Sequence, residues 1–395
     1  MFSKKTKQLM IISMVTNLAG TLSGVFVNIF LWKITSDMLS IAKYNLIVFL
    51  AYTLIFPLCS YISKKYSVTM VFRISIGFQI LYFASIILSG DNASKYIYLF
   101  GILSGLSAAA NANSMNQLTV QLTKPENRSM FFSISGTLNS IAAMVSPLIS
   151  GMLITLFNEL LGYYVVFGIS MILYTIAFFI SGWFDAKTPN RESHFFKQLF
   201  LRNKTLAFIN LGQFTVGMRD GIFGFLINIL VFDVVKTENI FGAATSFSKF
   251  IVVIFYFLGS KYIRKSNLFA HLKYSMWIMF AAPIPLFLLA NEYGVMLQMI
   301  LDSIASPLVA TTLNSISYNK IESEAKNDNL EECLAVKEVW LNAGKVVGIG
   351  GFMLLYPFLS SKYIFAIILV TNLCYVLSYY IYKFMESKKY NKNYR

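Results

Sequence analysis

Apolar residues dominate this chain in long runs, separated by short stretches that hold most of its charge. About 20 apolar residues in a helix cross roughly 30 Å of hydrocarbon. Twelve runs of that kind are read, at approximately 8–33, 44–62, 70–90, 96–122, 128–158, 162–184, 205–232, 239–262, 272–291, 293–318, 333–357 and 361–383. Backbone amides in lipid find no water to bond, so each run is expected to be α-helical. The first run follows Lys4, Lys5 and Lys7 as a signal peptide would. It is too long for an h-region and lacks a small-residue cleavage site, so a retained helix is expected.

Composition agrees. The chain is 56% hydrophobic and 13% charged, against about 25% charged in soluble domains. Its net charge of +15 would suit nucleic acid if it were concentrated on a soluble fold, but it is distributed by loop. With the N-terminus inside, 24 of the 33 lysines and arginines fall in inside segments, five outside and four within spans. That asymmetry predicts two cytoplasmic termini in a multi-pass cell membrane protein, and the charge is not placed as a nucleic-acid partner would need; a bacterial source is the separate expectation.

The longest polar connector, 185–204, divides twelve spans into two sets of six. A shift of 200 residues aligns SGVFVNIF (23–30) with FGFLINIL (223–230), and CSYISKK (59–65) with GSKYIRK (259–265). Shifts near 200 also bring MNQL (115–118) to LNSI (313–316) and TLNS (137–140) to WLNA (340–343). Their consistent order predicts a duplicated, all-α membrane protein of two pseudo-symmetric six-helix bundles. The expected boundaries are 1–184 for the first bundle, 185–204 for a cytoplasmic linker, and 205–395 for the second bundle with its basic tail.

These features resemble the major facilitator superfamily over nearly the whole chain. SYISKKYS (60–67) keeps Lys65 of the family's loop between the second and third helices, with Ser60 for the usual glycine and Lys64 for the usual aspartate. Pro125, Glu126 and Arg128 match the family's Pro-Glu-x-Arg loop. Ser133, Ala142, Ser146, Pro147, Ser150 and Gly151 keep the small-residue spacing of the fifth helix in its antiporters. The resemblance implies a secondary transporter working by alternating access, with Lys65, Arg128 and Arg264 as candidate gating-loop residues. The helix-4 arginine of many proton-coupled exporters is replaced here by a region holding Asn111, Asn113, Asn116 and Gln117.

Charge inside the spans identifies candidate chemistry. The first half has no acidic residue within a span, whereas the second carries Arg219, Asp220, Lys249, Asp302, Lys337, Glu338 and Lys345. Mid-membrane charge costs several kcal/mol, so such groups face a cavity or one another. Asn210, Gln213, Gly217, Asp220, Gly224 and Asn228 form one polar stripe at helical spacing; Glu338, Asn342 and Lys345 form a second. Asn17, Gly20, Gly24 and Asn28 form an uncharged counterpart in the first span. The proton-coupling candidates are Asp220, Asp302 and Glu338. Arg219, Lys249, Lys345, Asn17, Asn28, Asn113, Asn116, Gln213, Asn228 and Asn342 are candidate charge partners or substrate ligands. Two roles stand open for Arg219–Asp220: a proton switch or a permanent clamp. Lys337 and Glu338 are expected near the membrane interface.

Other chemistries find no pattern. There is no P-loop, no nucleophile–base set and no cysteine pair at metal-ligand spacing, and His194 and His271 are expected in connections. No enzyme, metal or cofactor is anticipated. The expected function is proton-driven export of amphipathic small molecules by a monomer, with lipid or glycolipid flipping, or transport of a small anionic metabolite, as alternatives.

Overall fold

The computed structural model describes residues 3–123, 125–157, 160–183, 195, 203–262, 267–289, 291–324, 330–358 and 361–392. Thirteen α-helices are formed by these residues. In the first half they are α1 (Lys4–Thr35), α2 (Met38–Lys65), α3 (Val68–Ser89), α4 (Ile97–Leu122), α5 (Pro125–Leu156) and α6 (Leu161–Ile180). In the second half they are α7 (Lys204–Val235), α8 (Glu238–Tyr262), α9 (Leu268–Ala281), α10 (Ile284–Leu289), α11 (Glu292–Glu324), α12 (Leu330–Leu355) and α13 (Ser361–Lys392). α9 and α10 make one span, interrupted at Ala282–Pro283, because proline lacks an amide and crowds the preceding turn. This span begins earlier than its apolar run, so His271 lies in α9 rather than in a connection.

The helices start and stop where side chains can satisfy their end groups. Ser3 Oγ accepts from Thr6 N at 3.1 Å, opening α1. Asn203 Oδ1 accepts from Thr205 N at 2.9 Å, opening α7 at the position 200 residues on. The α1–α2 and α7–α8 turns repeat this relation. Ser36 N bonds Trp32 O at 2.8 Å and Lys236 N bonds Phe232 O at 2.7 Å. Ser36 (φ 48°) and Lys236 (φ 64°) are the non-glycine residues of positive φ among those described. A left-handed residue is costly outside glycine and asparagine, so its recurrence at the same register is strong evidence of duplication.

Among the described residues, ten segments are long and apolar enough to cross a membrane. α4 is less apolar than these, carrying Asn111, Asn113 and Asn116 within its span. Large apolar side chains stand on the outside of the helices, including Leu88 (85% exposed) and Leu354 (76% exposed). Such a surface is tolerated in lipid and not in water. The protein is a multi-pass, all-helical membrane protein of the twelve-span type.

Contacts divide the chain into two units, Met1–Ser193 with Asn228–Phe247, and His194–Ile227 with Ser248–Arg395. In the first, Leu9, Ile12, Val68, Phe72, Leu118 and Phe131 form an apolar core. α4 lies close on α2, since a side chain at Gly105 would collide with the carbonyl of Val48. In the second, Ile209, Leu272, Met276, Val309, Leu313 and Tyr382 form the equivalent core.

Candidate functional site

The register of α7 is set by glycine. Gly217 and Gly221 lie four apart on α7, as Gly344 and Gly348 do on α12. A side chain at Gly217 would strike the carbonyl of Leu341, and one at Gly344 the carbonyl of Phe214. One at Gly221 would come within 2.7 Å of Lys345 O. Two facing small-xxx-small faces let backbones meet without side chains between them. Arg219 and Asp220 sit between the two α7 glycines, so this crossing fixes their depth.

Arg219 is the centre of the site. Its Nε donates to Asn372 Oδ1 at 2.7 Å, Nη2 to Asp302 Oδ1 at 2.9 Å and Nη1 to Asp220 Oδ1 at 3.3 Å. The guanidinium carbon lies 3.4 Å from the centroid of the Phe223 ring and 5.1 Å from that of Tyr375. Asn372 is oriented by its own amide, which donates to Met279 O at 2.7 Å and so turns its oxygen toward the cation. Tyr375 OH donates to Asp220 Oδ1 at 2.8 Å.

The exposures differ across this cluster. The Arg219 side chain is 6% exposed, that of Asp302 23% and that of Asp220 32%. A buried guanidinium needs both charge compensation and hydrogen bonds to most of its donors, and this one has them. With both carboxylates ionised, the trio carries one net negative charge. Asp302 holds the shorter bond to the cation, while Asp220 is the more open of the two acids. Two lysines also act on these acids: Lys345 on α12 lies within electrostatic reach of Asp220, and Lys249, exposed on α8, within reach of Asp302.

The other second-half candidates are mostly tied into structure. Gln213 Nε2 donates to Tyr382 OH at 3.1 Å. Asn342 donates to the Glu338 carbonyl one turn back, at 2.8 Å. Lys345 meets Gly221 through its backbone. Lys337 is buried among its neighbours (3% exposed). Its ammonium lies 3.4 Å from Glu338 Oε1 and 3.4 Å from Asn314 Oδ1, above the Tyr318 ring. That carboxylate, amide and ring together replace the water it would seek at a membrane surface.

In the first unit the amides bond one another. Asn45 Nδ2 donates to Asn28 Oδ1 at 2.9 Å, and Asn17 Nδ2 to Asn139 O at 3.3 Å. Gln117 Nε2 donates to Ser63 Oγ at 2.7 Å and to Asn113 Oδ1 at 2.9 Å. Asn116 is exposed and Asn228 half-buried. Lys65 is exposed, its ammonium over the rings of Tyr61 and Tyr66. Arg264 and the side chain of Arg128 lie outside the described residues.

Some residues escaped the sequence reading. Asn372 and Tyr375 on α13 complete the Arg219 shell, yet one asparagine and one tyrosine in an aromatic-rich span give no advance signal. The paired glycines gave one, as two four-residue spacings. In the first unit Glu238 forms an ion pair with Lys33 and accepts from Tyr163 OH at 2.8 Å. Both charged residues sit at helix ends, where a sequence reading assigns them to loops.

A family model of the Major Facilitator Superfamily matches residues 9–327. Among curated proteins, the chain is 26% identical over 350 residues to YqgE of Bacillus subtilis (strain 168), covering 87% of this chain and 81% of that one. It is 33% identical over 150 residues to a protein encoded in the sodM 3' region of Geobacillus stearothermophilus, 38% of this chain and 70% of that one. Among solved structures, the nucleoside transporter NupG superposes with a TM-score of 0.74 at 11% identity, over 97% of this chain and 100% of that one. An inward-facing bacterial homologue of the iron transporter ferroportin gives 0.71 at 15%, over 97% and 99%. The human organic anion transporter MFSD10 gives 0.71 at 11%, over 96% and 100%. At such identities these structures speak for the fold alone. With a family match across most of its length and the twelve-span duplicated fold beneath it, the chain belongs to the Major Facilitator Superfamily, as a membrane transporter rather than an enzyme.

Proposed function

We propose that this transporter couples proton movement to export of amphipathic small molecules, acting as a monomer in a bacterial cell membrane with both termini cytoplasmic. The observation that carries the reading is one guanidinium shared by two carboxylates inside the second unit. The guanidinium is bonded to both acids at once, so whether Asp220 holds a proton is set by competition among Arg219, the nearby Lys345 and whatever charge enters the cavity. A proton on Asp220, the more open acid, leaves a neutral trio; a proton leaving restores the net negative charge. A cationic substrate near the trio would favour that departure, and this is the competition that antiport requires.

The same geometry weighs against an anionic cargo held by Arg219, whose donors are already engaged by Asp302, Asn372 and Asp220. Asn17, Asn28, Asn113 and Gln117 of the first unit are engaged with groups of this chain, which suits a lipophilic substrate better than a sugar. The alternating access of the family supplies the transport cycle.

The reading is tested with purified protein in liposomes under an imposed pH gradient, monitored by a pH-sensitive dye. Lipophilic cations, anionic metabolites and labelled lipids are added in turn. The expected outcome is substrate-dependent proton movement with a lipophilic cation, abolished in Asp220→Asn. Proton movement driven by anionic metabolites, or labelled lipid crossing the bilayer with no proton movement, would contradict it.

A further inference from the structure

Away from the charged centre, the first unit holds a groove of about 500 Å³ between α3 and α6. Its walls are mainly apolar, formed by Met70, Ile74, Gly77 and Phe178, and Arg73 is its one charged residue. Met70, Ile74 and Phe178 are each more than a third exposed, as expected of a surface that faces lipid. Arg73 lies six residues inside α3 from the capping Ser67, about 9 Å along the helix axis. It therefore stands about two turns from the α3 terminus that carries Ser67.

The arginine is half-buried and only partly engaged. Its Nη2 donates to the carbonyl of Ser181 at 2.9 Å, at the end of α6. Its Nε is buried and has no hydrogen-bond partner among the described residues. No ion pair of Arg73 is found among them either, so its charge has no described counterion. The same end of the unit is basic. Thr6 Oγ1 donates to Leu122 O, bringing the start of α1 to the end of α4. Lys4, Lys5, Lys7, Lys64 and Lys65 therefore share that end with Arg73.

We infer that this groove is a binding site for one anionic phospholipid, its phosphate paired with Arg73 and an acyl chain lying along Met70, Ile74 and Phe178. Basic pockets between transmembrane helices take anionic headgroups because a phosphate both neutralises the cation and accepts its remaining donors. The apolar walls add what a free anion would lack. Gly77 keeps the floor open: a Cβ there meets nothing within 4 Å, so a side chain added at this position enters the groove.

Detergent-purified protein is titrated with dioleoyl phosphatidylglycerol or dioleoyl phosphatidylcholine, reading lipid retention by native mass spectrometry and Tm in parallel. The wild type is expected to retain phosphatidylglycerol roughly fivefold better than phosphatidylcholine, the preference one near-surface cation supplies. Arg73→Gln should abolish the preference, and Arg73→Lys should keep part of it. Gly77→Phe retains the cation but should lose the bound lipid, so the site remains testable if Arg73→Gln folds poorly. An unchanged preference in Arg73→Gln would overturn the assignment. So would a loss of Tm equal in both lipids, which would mean that Arg73 serves a group of this chain instead.

Discussion

Arg219 is held more tightly than a surface ion pair would be. Three of its nitrogens reach oxygens on α7, α11 and α13, and its flat face covers Phe223. Removing it leaves two partly buried carboxylates without the guanidinium that both bond. Breaking a buried pair in this way costs about 3–5 kcal/mol. Arg219→Ala is therefore expected to lower Tm sharply, while Asp220→Asn, which leaves Asp302 on the cation, should cost much less. Lysine should not rescue Arg219, because a point charge cannot address Asn372, Asp302 and Asp220 together or lie flat on a ring. Thermal unfolding in detergent of Arg219→Ala, Arg219→Lys and Asp220→Asn tests the order. A Tm of Arg219→Lys equal to wild type would contradict it. The sequence exposed part of this site: a charged pair in an apolar run is visible at once. The identity of its partners was not, since Asp302 and Asn372 lie 83 and 153 residues away and only folding brings them in.

At the scale of elements, the α7–α12 crossing is the feature on which the site's geometry rests. Backbone contact at Gly217, Gly221, Gly344 and Gly348 leaves no room for a methyl group. Gly217→Leu or Gly344→Leu should force the helices apart, lowering Tm and impairing transport together. Gly224, on the same helix, has nothing within 4 Å of an added Cβ, and Gly224→Ala should be neutral or slightly stabilising through helix propensity. Tm and transport of the three variants distinguish a packed crossing from a generic glycine effect. Equal losses at Gly217 and Gly224 would rule the crossing out as the cause. Most element boundaries were legible because lipid imposes a minimum length on each span. The exceptions are polar or broken: the Pro283 interruption splits the ninth span, and Lys337 buries itself among partners that a linear pattern does not reveal.

The whole molecule carries its history in its register. Helix starts, capping residues and the two left-handed turns recur 200 residues apart, yet the charged trio has no equivalent in the first half, where Ala19 and Gly20 stand opposite Arg219 and Asp220. The two halves are similar scaffolds, and of the two the second carries the charged trio. On this account the first half contributes amide-bonded structure and the second the ion-responsive chemistry. A charge difference between duplicated halves was readable from sequence; the way one guanidinium divides its bonds between two acids was not.

The most direct test of that division compares two modes of transport in Asp220→Asn proteoliposomes. Substrate exchange across the membrane in the absence of a pH gradient requires binding and alternating access but no net proton movement. Accumulation against a substrate gradient, driven by an imposed pH gradient, requires both. The account predicts that Asp220→Asn keeps exchange near the wild-type rate and loses gradient-driven accumulation. Intact accumulation in Asp220→Asn would contradict it, and joint loss of both with the protein folded would make Arg219–Asp220 part of the moving structure rather than its proton switch.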